Sequence, residues 1–453
     1  MVRVTRETDV VVAGTGMAGL VSAVRALEHD ADVIVLEKAP RMGGKTIMTA
    51  GAMMVDEEMD ANMDVYEPLK EGTDWLEEMG VDVKEMTLDV PWSGKEVDVS
   101  DFIEHMGDKI ESMGGKILLE TPFKKLITDE DGEIAGAIAH GDEGPIEITA
   151  PNVILATGGF CASEELIQQY ITENTEELVL RCDPWSTGDG FMAAKEVGAK
   201  ATTGLSKFDG HPMIAPPAEY SPAQFEEASQ YYGARSIAID QSGNRFTDES
   251  INIFERELID AMAKEVGGQV FLVIDKDIYN DSWVNGHVGS MVERAKEFGG
   301  TVLMAETLEE LGEKLSKNGV EGSEAVATIN EFNESVEANK GESLEPPRGR
   351  YQEPIDTPPF YAVDVRPGLS FTMGGLDINA NAEVLCRATS TSRLLQKPDF
   401  DEDIFYQPIK GLYATGVDIG NPNRGYYAAG GLSMALASGR VAGKHAAKRA
   451  EEK

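Results

Sequence analysis

The stretch that decides the fold is residues 10–19, which read VVVAGTGMAG. An apolar run leads directly into three glycines spaced as GxGxxG, and a helical pattern, Leu20–Leu27, follows them. In a strand–turn–helix unit, Gly14 makes the tight turn and Gly16 lets the backbone approach a pyrophosphate. Gly19 lets the helix pack closely on the strand. The stretch therefore predicts a dinucleotide site.

A second apolar run, Val33–Leu36, ends in Glu37, which lies 18 residues beyond Gly19. An acid at this position can reach the 2'-hydroxyl of a ribose. The start of the helix, at Met17 and Ala18, offers N–H groups and the positive end of the helix dipole to phosphates. Together with the glycines, these features predict a Rossmann-like α/β domain.

The residues after Glu37 indicate which dinucleotide binds. A nicotinamide domain would usually continue with another strand–helix crossover, whereas residues 38–46 read KAPRMGGKT. Here the sequence resembles the fumarate reductase and succinate dehydrogenase flavoprotein family, in which such a stretch wraps the FAD pyrophosphate. In that family the stretch leads to a loop against the isoalloxazine, matched here by residues 46–52. The resemblance implies FAD contacts by Lys38, Gly43, Gly44, Lys45, Thr46, Ala50 and Gly51.

The resemblance spans nearly the whole chain, because six motifs stand in the family's order. The other five are VILATGGF at 153–160, STGDGFMAAKEVGA at 186–199, GNRFTDES at 243–250, FTMGGL at 371–376 and GLYATG at 411–416. These motifs imply further FAD contacts by Ala156, Thr157, Gly158, Gly159, Asp189, Gly374 and Gly416.

The C-terminal helix is predicted to open at GGLS, residues 430–433, and to run to about Arg449. A helix that starts at Ser433 and points at the flavin pyrimidine would stabilise the anionic reduced ring. Family members with covalent FAD carry a histidine six residues before the first glycine of their loop. Counting back from Gly51 gives Lys45, so we expect FAD to be bound non-covalently.

The composition is that of a globular enzyme with an extreme charge. The 453 residues are 42% hydrophobic, enough for two compact units, and 80 acids against 40 bases give a formal net charge of −40. No positive groove is visible in the sequence, which argues against a nucleic-acid partner. Acids spread over the whole length suit a protein that stays soluble in concentrated salt, and an ordinary acidic protein is the alternative.

The sequence shows no membrane-span, haem, iron–sulfur, disulfide or metal-site pattern. It has no apolar run of 18 or more residues, so no membrane span is predicted, and we expect a cytoplasmic protein. No CxxCH haem motif or iron–sulfur cysteine set is present, which implies a separate electron carrier. A disulfide framework or metal site is not expected from the three separated cysteines, Cys161, Cys182 and Cys386.

The positions of the flavin motifs predict a discontinuous FAD-binding domain with an inserted α+β capping domain. We expect the FAD-binding domain at residues 1–200 and 346–453, and the cap at 201–345. Substrate is expected between the cap and the flavin, where closure would exclude water. The cap elements predicted from the pattern are a strand at Gln269–Ile274, helices at Phe254–Val266 and Glu324–Ala338, and a turn at Pro346–Gly349.

The chain departs from fumarate reductases at three positions that the resemblance assigns to substrate. Phe371 stands where those enzymes have the histidine of HTMGG, and Ala428 where they have an arginine before the last Gly-Gly. Near their proton-donating arginine, the run FLVIDKDIYND at 271–281 places Tyr279. His211 in GHPM does match the family, as a substrate contact or as a hydrogen-bonded cap histidine. The departures argue against fumarate itself.

The segment GYYAAGG, residues 425–431, suggests a ketone substrate. It places Tyr426 four residues before Gly430, which resembles the signature of 3-ketosteroid dehydrogenases. There a tyrosine hydroxyl and a glycine N–H polarise the substrate carbonyl, and a second tyrosine, here Tyr279, exchanges a proton. Such polarisation acidifies the adjacent C–H bond. These tyrosines could instead only line a cleft as amphipathic walls.

Three other interpretations remain open at this stage. Arg424 lies four residues before Ala428 and could clamp a carboxylate, which favours an organic acid as in fumarate reductase-like or tricarballylate dehydrogenase-like enzymes. A nicotinamide-dependent dehydrogenase would leave the later motifs unexplained. A flavin-binding electron-transfer protein without a substrate of its own would have no use for a cap.

Overall fold

The computed structural model describes residues 4–55, 69–86, 93–251, 255–283, 286–387, 406–420 and 431–452. Its helices within these ranges are α1 (Met17–Leu27), α2 (Leu69–Met79), α3 (Val99–Ser112), α4 (Glu164–Tyr170), α5 (Asp189–Glu196), α6 (Phe225–Ala228), α7 (Arg256–Ala261), α8 (Lys276–Tyr279), α9 (Val288–Glu297), α10 (Leu308–Lys317), α11 (Gly322–Glu337) and α12 (Gly431–Glu451). Its strands are β1 (Val4–Glu7), β2 (Val10–Ala13), β3 (Val33–Leu36), β4 (Ala52–Val55), β5 (Val83–Glu85), β6 (Ser93–Val97), β7 (Lys116–Leu118), β8 (Phe123–Thr128), β9 (Ile134–Gly141), β10 (Gly144–Thr149), β11 (Asn152–Leu155), β12 (Val179–Leu180), β13 (Phe208–Asp209), β14 (Pro212–Ile214), β15 (Ile237–Ile239), β16 (Val270–Ile274), β17 (Ser282–Trp283), β18 (Gly286–His287), β19 (Val302–Ala305), β20 (Phe360–Leu369), β21 (Phe371–Thr372), β22 (Glu383–Arg387) and β23 (Tyr406–Ala414).

The chain divides into two compact units. Unit 1 comprises Met1–Ser163, Asp183–Lys207 and Thr372–Lys453. Unit 2 comprises Glu164–Cys182 and Phe208–Phe371. Unit 1 holds the glycine motif and is discontinuous in sequence.

These divisions differ from the boundaries expected after residue 200 and before residue 346. β12 pairs in parallel with β20, the central strand of unit 2, so the segment around Val179 belongs to unit 2. The predicted Pro-Pro-Arg-Gly turn is anchored there as well. Arg348 is fully buried, and its Nη1 donates to Glu249 Oε2 at 3.0 Å. The sequence does not predict that Arg348 is buried, because arginine and proline after a polar run are typical of a surface turn.

Unit 1 is built on a sheet whose strand order is β22-β23-β11-β2-β3-β7. The inner strands are parallel and apolar, as expected for strands covered on both faces; the four residues of β2 are fully buried. α1 and α12 pack backbone to backbone, since a Cβ at Gly439 would lie 2.8 Å from the carbonyl oxygen of Ala18. Two smaller sheets, β1-β10-β9-β8 and β4-β6-β5, complete the described part of this unit.

Helix bounds shift from the predicted ones for local reasons. α1 begins at Met17 instead of Leu20 because Gly16, in extended backbone, already caps it. The predicted helix at 254–266 is α7, continued by a π-helical turn at Met262–Val266. The cap strand starts at Val270, and the other two helices are α11 and α12.

Unit 2 is α+β and centres on β20. Its sheet order is β12-β20-β16-β15, and β14 and β19 also pair antiparallel with β20. The register sets Pro212 opposite Pro367. Next to this pair, the Gly368 N–H donates to the His211 carbonyl at 2.9 Å. The backbone of His211 is thereby fixed to the central strand.

Candidate active site

Four strand ends of unit 1 lie side by side and define where its loops meet. The parallel registers align Ala13 with Leu36, Ala13 with Leu155, and Leu155 with Ala414. The loops that follow these residues carry four of the predicted FAD motifs. In open α/β sheets this carboxyl edge is where dinucleotides bind.

The first loop depends on two glycines. Gly14 has φ +112°, and a Cβ there would lie 2.1 Å from the carbonyl oxygen of Ala156. A Cβ at Gly19 would lie 2.0 Å from the carbonyl oxygen of Gly14. Both distances are far inside van der Waals contact, so helix, turn and neighbouring strand can pack this closely only with glycine.

A second glycine loop, around residues 43–46, lies against the start of α1. Thr46 Oγ1 accepts from the Met17 N–H at 2.9 Å, and the Gly43 N–H donates to the Thr15 carbonyl at 3.2 Å. A Cβ at Gly44 would have no atom closer than 3.7 Å, the backbone of Gly16. Gly16 and Gly44 thus leave open space at the helix start, beside the Thr46 hydroxyl, and this arrangement fits a pyrophosphate.

Glu37 is buried and already binds the glycine loop. Its Oε2 accepts from the N–H of Thr15 at 3.0 Å and from the Thr15 hydroxyl, and its Oε1 accepts from the Ala39 N–H at 2.7 Å. A carboxylate has about four acceptor positions, so one on Oε1 remains for a ribose. Sequence reasoning assigned only the ribose contact and missed this structural one.

Two side chains predicted to contact FAD pair with each other. Lys38 Nζ lies 2.8 Å from Asp189 Oδ2 and donates to the Thr187 hydroxyl at 2.5 Å. Asp189 begins α5, and Gly188 precedes it in left-handed backbone. The pair joins the loop after β3 to the TGDG segment.

A buried carboxyl group, Asp418, joins two further motifs. It accepts from the Thr157 N–H and, at 2.9 Å, from the Thr157 hydroxyl, which in turn accepts from the Gly190 N–H at 3.0 Å. Burial raises the pKa of Asp418 to about 7, and the nearby Asp189 charge adds to the shift. No motif pointed to this residue in the sequence.

Thr372, in the FTMGGL motif, carries an orphaned polar atom. Its side chain is 2% exposed, and its hydroxyl has no hydrogen-bond partner among the described residues. A Cβ at Gly159 would lie 2.1 Å from this hydroxyl oxygen. Buried polar groups are seldom left unpaired, so the orphan hydroxyl beside the ATGG loop fits a bound polar ligand such as the flavin ring.

The remaining predicted FAD contacts lie in unit 1 with varied surroundings. Neighbouring atoms leave little or no room for a side chain at four of the glycines. An added Cβ would lie 1.9 Å from Val97 O at Gly51, and 3.0 Å from Ser186 Oγ at Gly158. It would lie 2.3 Å from Leu205 Cα at Gly374, and 2.8 Å from Ala18 Cβ at Gly416. Lys45 lies in a short 3-10 helix, Ala50 is exposed, and Ser433 is buried in the first turn of α12. Direct contacts of these residues with FAD stay predictions.

Unit 2 places His211 in a cluster of polar and charged side chains. Its Nδ1 lies 2.9 Å from Glu255 Oε2, and its ring meets Tyr231 edge-on with 4.5 Å between centroids. Arg181 Nη2 donates to the Tyr231 hydroxyl at 3.1 Å, and Arg256 Nε lies 3.3 Å from an oxygen of Asp209. We call these six residues the His211 cluster. Only His211 among them was predicted from the sequence.

Tyr279, the predicted proton-exchanging tyrosine, lies elsewhere in unit 2. Its ring stacks on Tyr361 at 4.4 Å, and its hydroxyl donates to Glu293 Oε1 at 2.9 Å. Burial and this carboxylate raise the pKa of Tyr279 to about 12. Forming a phenolate beside Glu293 is unfavourable, which makes Tyr279 a poor general base in this arrangement. Its catalytic role stays a prediction.

The other predicted catalytic residues, Arg424, Tyr426 and Gly430, lie outside the described residues, as does Ala428. In the part of the chain that the structure does describe, no helix is long and apolar enough to cross a membrane. Over the same ranges, no group of three or more His, Cys, Asp or Glu side chains could hold a metal ion.

The fold and the site together define a flavoprotein oxidoreductase built from two compact units. The sequence pattern of the FAD binding domain family matches residues 9–85 and 69–434. This chain belongs to the FAD binding domain family, and FAD is its cofactor. It is an FAD-dependent oxidoreductase acting on CH–CH groups, and the resemblance drawn from its motifs is confirmed.

Individual relatives match nearly the whole chain. A probable fumarate reductase, Ifc3 of Shewanella frigidimarina (strain NCIMB 400), is 26% identical over 490 residues, which cover 98% of this chain and 76% of that protein. The vinyl phenol reductase of Lactiplantibacillus plantarum is 26% identical over 507 residues, covering 97% and 96%. Among solved structures, 3-ketosteroid delta1-dehydrogenase from Sterolibacterium denitrificans has TM-score 0.72 and 18% identity, covering 98% of this chain and 100% of that one. The last likeness concerns the fold.

The titration of Asp418 predicts a pH dependence of stability. Its folded pKa of about 7 lies above the ordinary 3.8, so the folded state binds the proton more tightly than the unfolded state. Stability contributed by this group is greatest below pH 4 and is lost as pH rises to about 7, by up to about 4 kcal/mol. In denaturant titrations, the free energy of unfolding should fall less steeply between pH 4 and about 7 in Asp418→Asn than in the natural protein.

Asp98→Asn, a change at an exposed helix cap, is the control and should leave the slope as in the natural protein. An unchanged slope in Asp418→Asn would show that Asp418 is ionised throughout this range.

Proposed function

We propose that this enzyme reduces a C=C bond conjugated with a carboxylate or carbonyl, on a substrate with an apolar remainder. The single observation that carries the proposal is the His211 cluster. In a chain of net charge −40, it gathers Arg181, Arg256 and a histidine against Asp209 and Glu255. With His211 protonated, the three cationic side chains exceed the two carboxylates by one charge, so the cluster is net positive. Such a group favours an anion.

FAD, when bound, supplies the hydride for one carbon of the double bond. The chain itself must hold the activating group and deliver a proton to the other carbon. Guanidinium groups can bind a carboxylate and polarise the conjugated bond. Because its Nδ1 lies against Glu255, His211 would exchange the proton through Nε2. The electrons come from a separate carrier.

The apolar remainder is inferred from the departures from fumarate reductases. Phe371 and Ala428 replace the histidine and the arginine that the resemblance assigns to the substrate in fumarate reductases, so a second carboxylate would lack these partners here. A buried second carboxylate without partners is strongly disfavoured. The nearly full-length match to a vinyl phenol reductase, named for an aromatic alkene without a carboxylate, supports only the apolar remainder.

A ketone substrate is the second candidate. It is favoured by the spacing of Tyr426 and Gly430, which resembles 3-ketosteroid dehydrogenases. The cytoplasmic location expected from the sequence stays a prediction, to be tested by cell fractionation.

The test is a substrate panel read by flavin reoxidation. Enzyme reduced without oxygen is mixed with cinnamate, fumarate or a cyclic enone. We expect cinnamate to reoxidise the flavin at least about tenfold faster than fumarate, since an unpaired charge costs more than 1.4 kcal/mol. Fumarate as the fastest substrate would contradict the proposal.

Three variants decide between the two candidates. If a carboxylate is bound, Arg424→Ala should lose most activity while Tyr426→Phe and Tyr279→Phe stay close to the natural enzyme. If a ketone is bound, the two phenylalanine variants should lose about 10²-fold or more, as expected for groups that polarise a carbonyl or move a proton.

The bond between protein and flavin is also a proposal. With Lys45 at the position of the linking histidine, heat or acid should release FAD into the supernatant. Absorbance of the two fractions after centrifugation measures it. Flavin that remains with the precipitated protein would contradict non-covalent binding.

A further inference from the structure

Glu255 is the most unusual member of the His211 cluster. Its side chain is fully buried, and the residue is 1% exposed. One oxygen, Oε2, lies 2.9 Å from His211 Nδ1. The other, Oε1, is buried without a hydrogen-bond partner in the described part of the chain. A carboxyl group with one oxygen on histidine and one unpaired is expensive to bury.

The backbone of Glu255 is equally unusual. It caps α7 with φ +56° and ψ +20°, a left-handed conformation that non-glycine residues seldom adopt. A Cβ at Gly233 would lie 2.8 Å from Glu255 Cγ, so the glycine makes room for this side chain. Strained backbone of this kind persists where surrounding contacts impose it, and it concentrates at functional sites.

The charged groups around the pair come from several elements. Burial raises the pKa of Glu255, and the Gly233 backbone N–H lowers it; the charge of Asp209, at the end of β13, raises it further, and Arg181 lowers it. Tyr231 lies against the histidine ring, and Arg256 follows Glu255 on α7 and pairs with Asp209. The glutamate side chain is thus shielded from water, and the His211 side chain, which is 16% exposed, is its ion-pair partner among the described residues.

We propose that Glu255 is the positioning residue of His211 and sets the pH range over which this histidine holds its proton. The inference rests on the function proposed above. With Nδ1 directed at Glu255, the proton leaves from Nε2 to the substrate carbon as the hydride reaches the neighbouring carbon. The neutral imidazole that remains keeps its Nδ1–H on Glu255 and regains a proton from water. An acceptor on one ring nitrogen fixes ring orientation and tautomer.

The test uses Glu255→Gln in the FAD-loaded enzyme. Glutamine has the same shape and can still accept from Nδ1–H, but it carries no charge. NMR of labelled histidine follows the ring titration; the chain has 6 histidines, and His211→Asn assigns the signal. We expect the midpoint of His211 to fall by about one pH unit or more in Glu255→Gln.

The matched control is Asp364→Asn, at another buried carboxylate of unit 2, which binds Gln269 and Arg366. It should leave the His211 midpoint unchanged. An unchanged midpoint in Glu255→Gln would overturn the proposal.

A second readout is the pH profile of flavin reoxidation by cinnamate. Its high-pH limb should move to lower pH in Glu255→Gln by the same amount as the NMR midpoint. In a His211→Asn background, Glu255→Gln should cause no further change. Equal losses at every pH and in both backgrounds would indicate a structural role and overturn the proposal. If the natural enzyme reduces no panel substrate, the proposed function fails, and the NMR midpoint still decides the pairing.

Discussion

Replacing Gly14 by alanine is expected to yield protein that no longer retains FAD. The new Cβ would lie 2.1 Å from the carbonyl oxygen of Ala156, and the residue would have to hold φ +112°. The loop cannot move away from Ala156 without breaking its tie to β3, because the Gly14 N–H donates to the Leu36 carbonyl at 2.7 Å. The flavin-to-protein absorbance ratio after purification should fall at least about tenfold, since a clash of this size costs several kcal/mol.

Gly144→Ala is the matched control for the backbone conformation. Gly144 has φ +115°, and a Cβ there would meet no atom within 4 Å. The Gly144→Ala variant therefore has the same backbone strain without the clash, and we expect it to retain FAD. Full occupancy in Gly14→Ala, with circular dichroism like that of the natural protein, would show that the loop tolerates a side chain.

Replacing His211 by glutamine is expected to lower the rate of flavin reoxidation by substrate about 10²-fold or more, the usual range for a lost general acid. FAD should stay bound, because His211 belongs to unit 2 and the glycine loops belong to unit 1. Stopped-flow absorbance of reduced enzyme mixed with cinnamate measures the rate.

His140→Gln, at an exposed histidine of unit 1, should react as the natural enzyme does. A rate within about threefold of normal in His211→Gln would assign proton delivery to another group, since a general acid contributes far more. Tyr279→Phe would then be the next variant to measure.

The FAD-binding motifs can be predicted from the sequence because each depends on a few residues that are close together in the chain. Gly14, Gly19 and Gly51 occupy backbone positions where a Cβ would clash, and Glu37 follows its strand at a fixed spacing. The hydrogen bonds from Thr15 to Glu37, and the burial of Asp418, depend on contacts between distant segments. Residue types alone give no sign of them.

Less of the site in unit 2 can be predicted from the sequence, because its contacts also join distant segments. His211 was found through its motif, but its partner Glu255 sits in an ordinary helical pattern, FERELID at 254–260. Only the fold brings the two within 2.9 Å. The position of Tyr279 beside Glu293, which raises its pKa, could not be inferred either. The division of the chain near Arg348 differs from the one that the sequence predicts, because ion pairing with Glu249 buries a residue type that usually lies on the surface.

The most direct test of the central claim is a product count in the absence of oxygen. Enzyme with fully reduced FAD is mixed with an excess of cinnamate, and the 3-phenylpropanoate formed is quantified against flavin oxidised. One molecule of saturated acid is expected for each FAD reoxidised. Flavin that stays reduced with cinnamate and with the cyclic enone, yet reoxidises on admission of air, would contradict it.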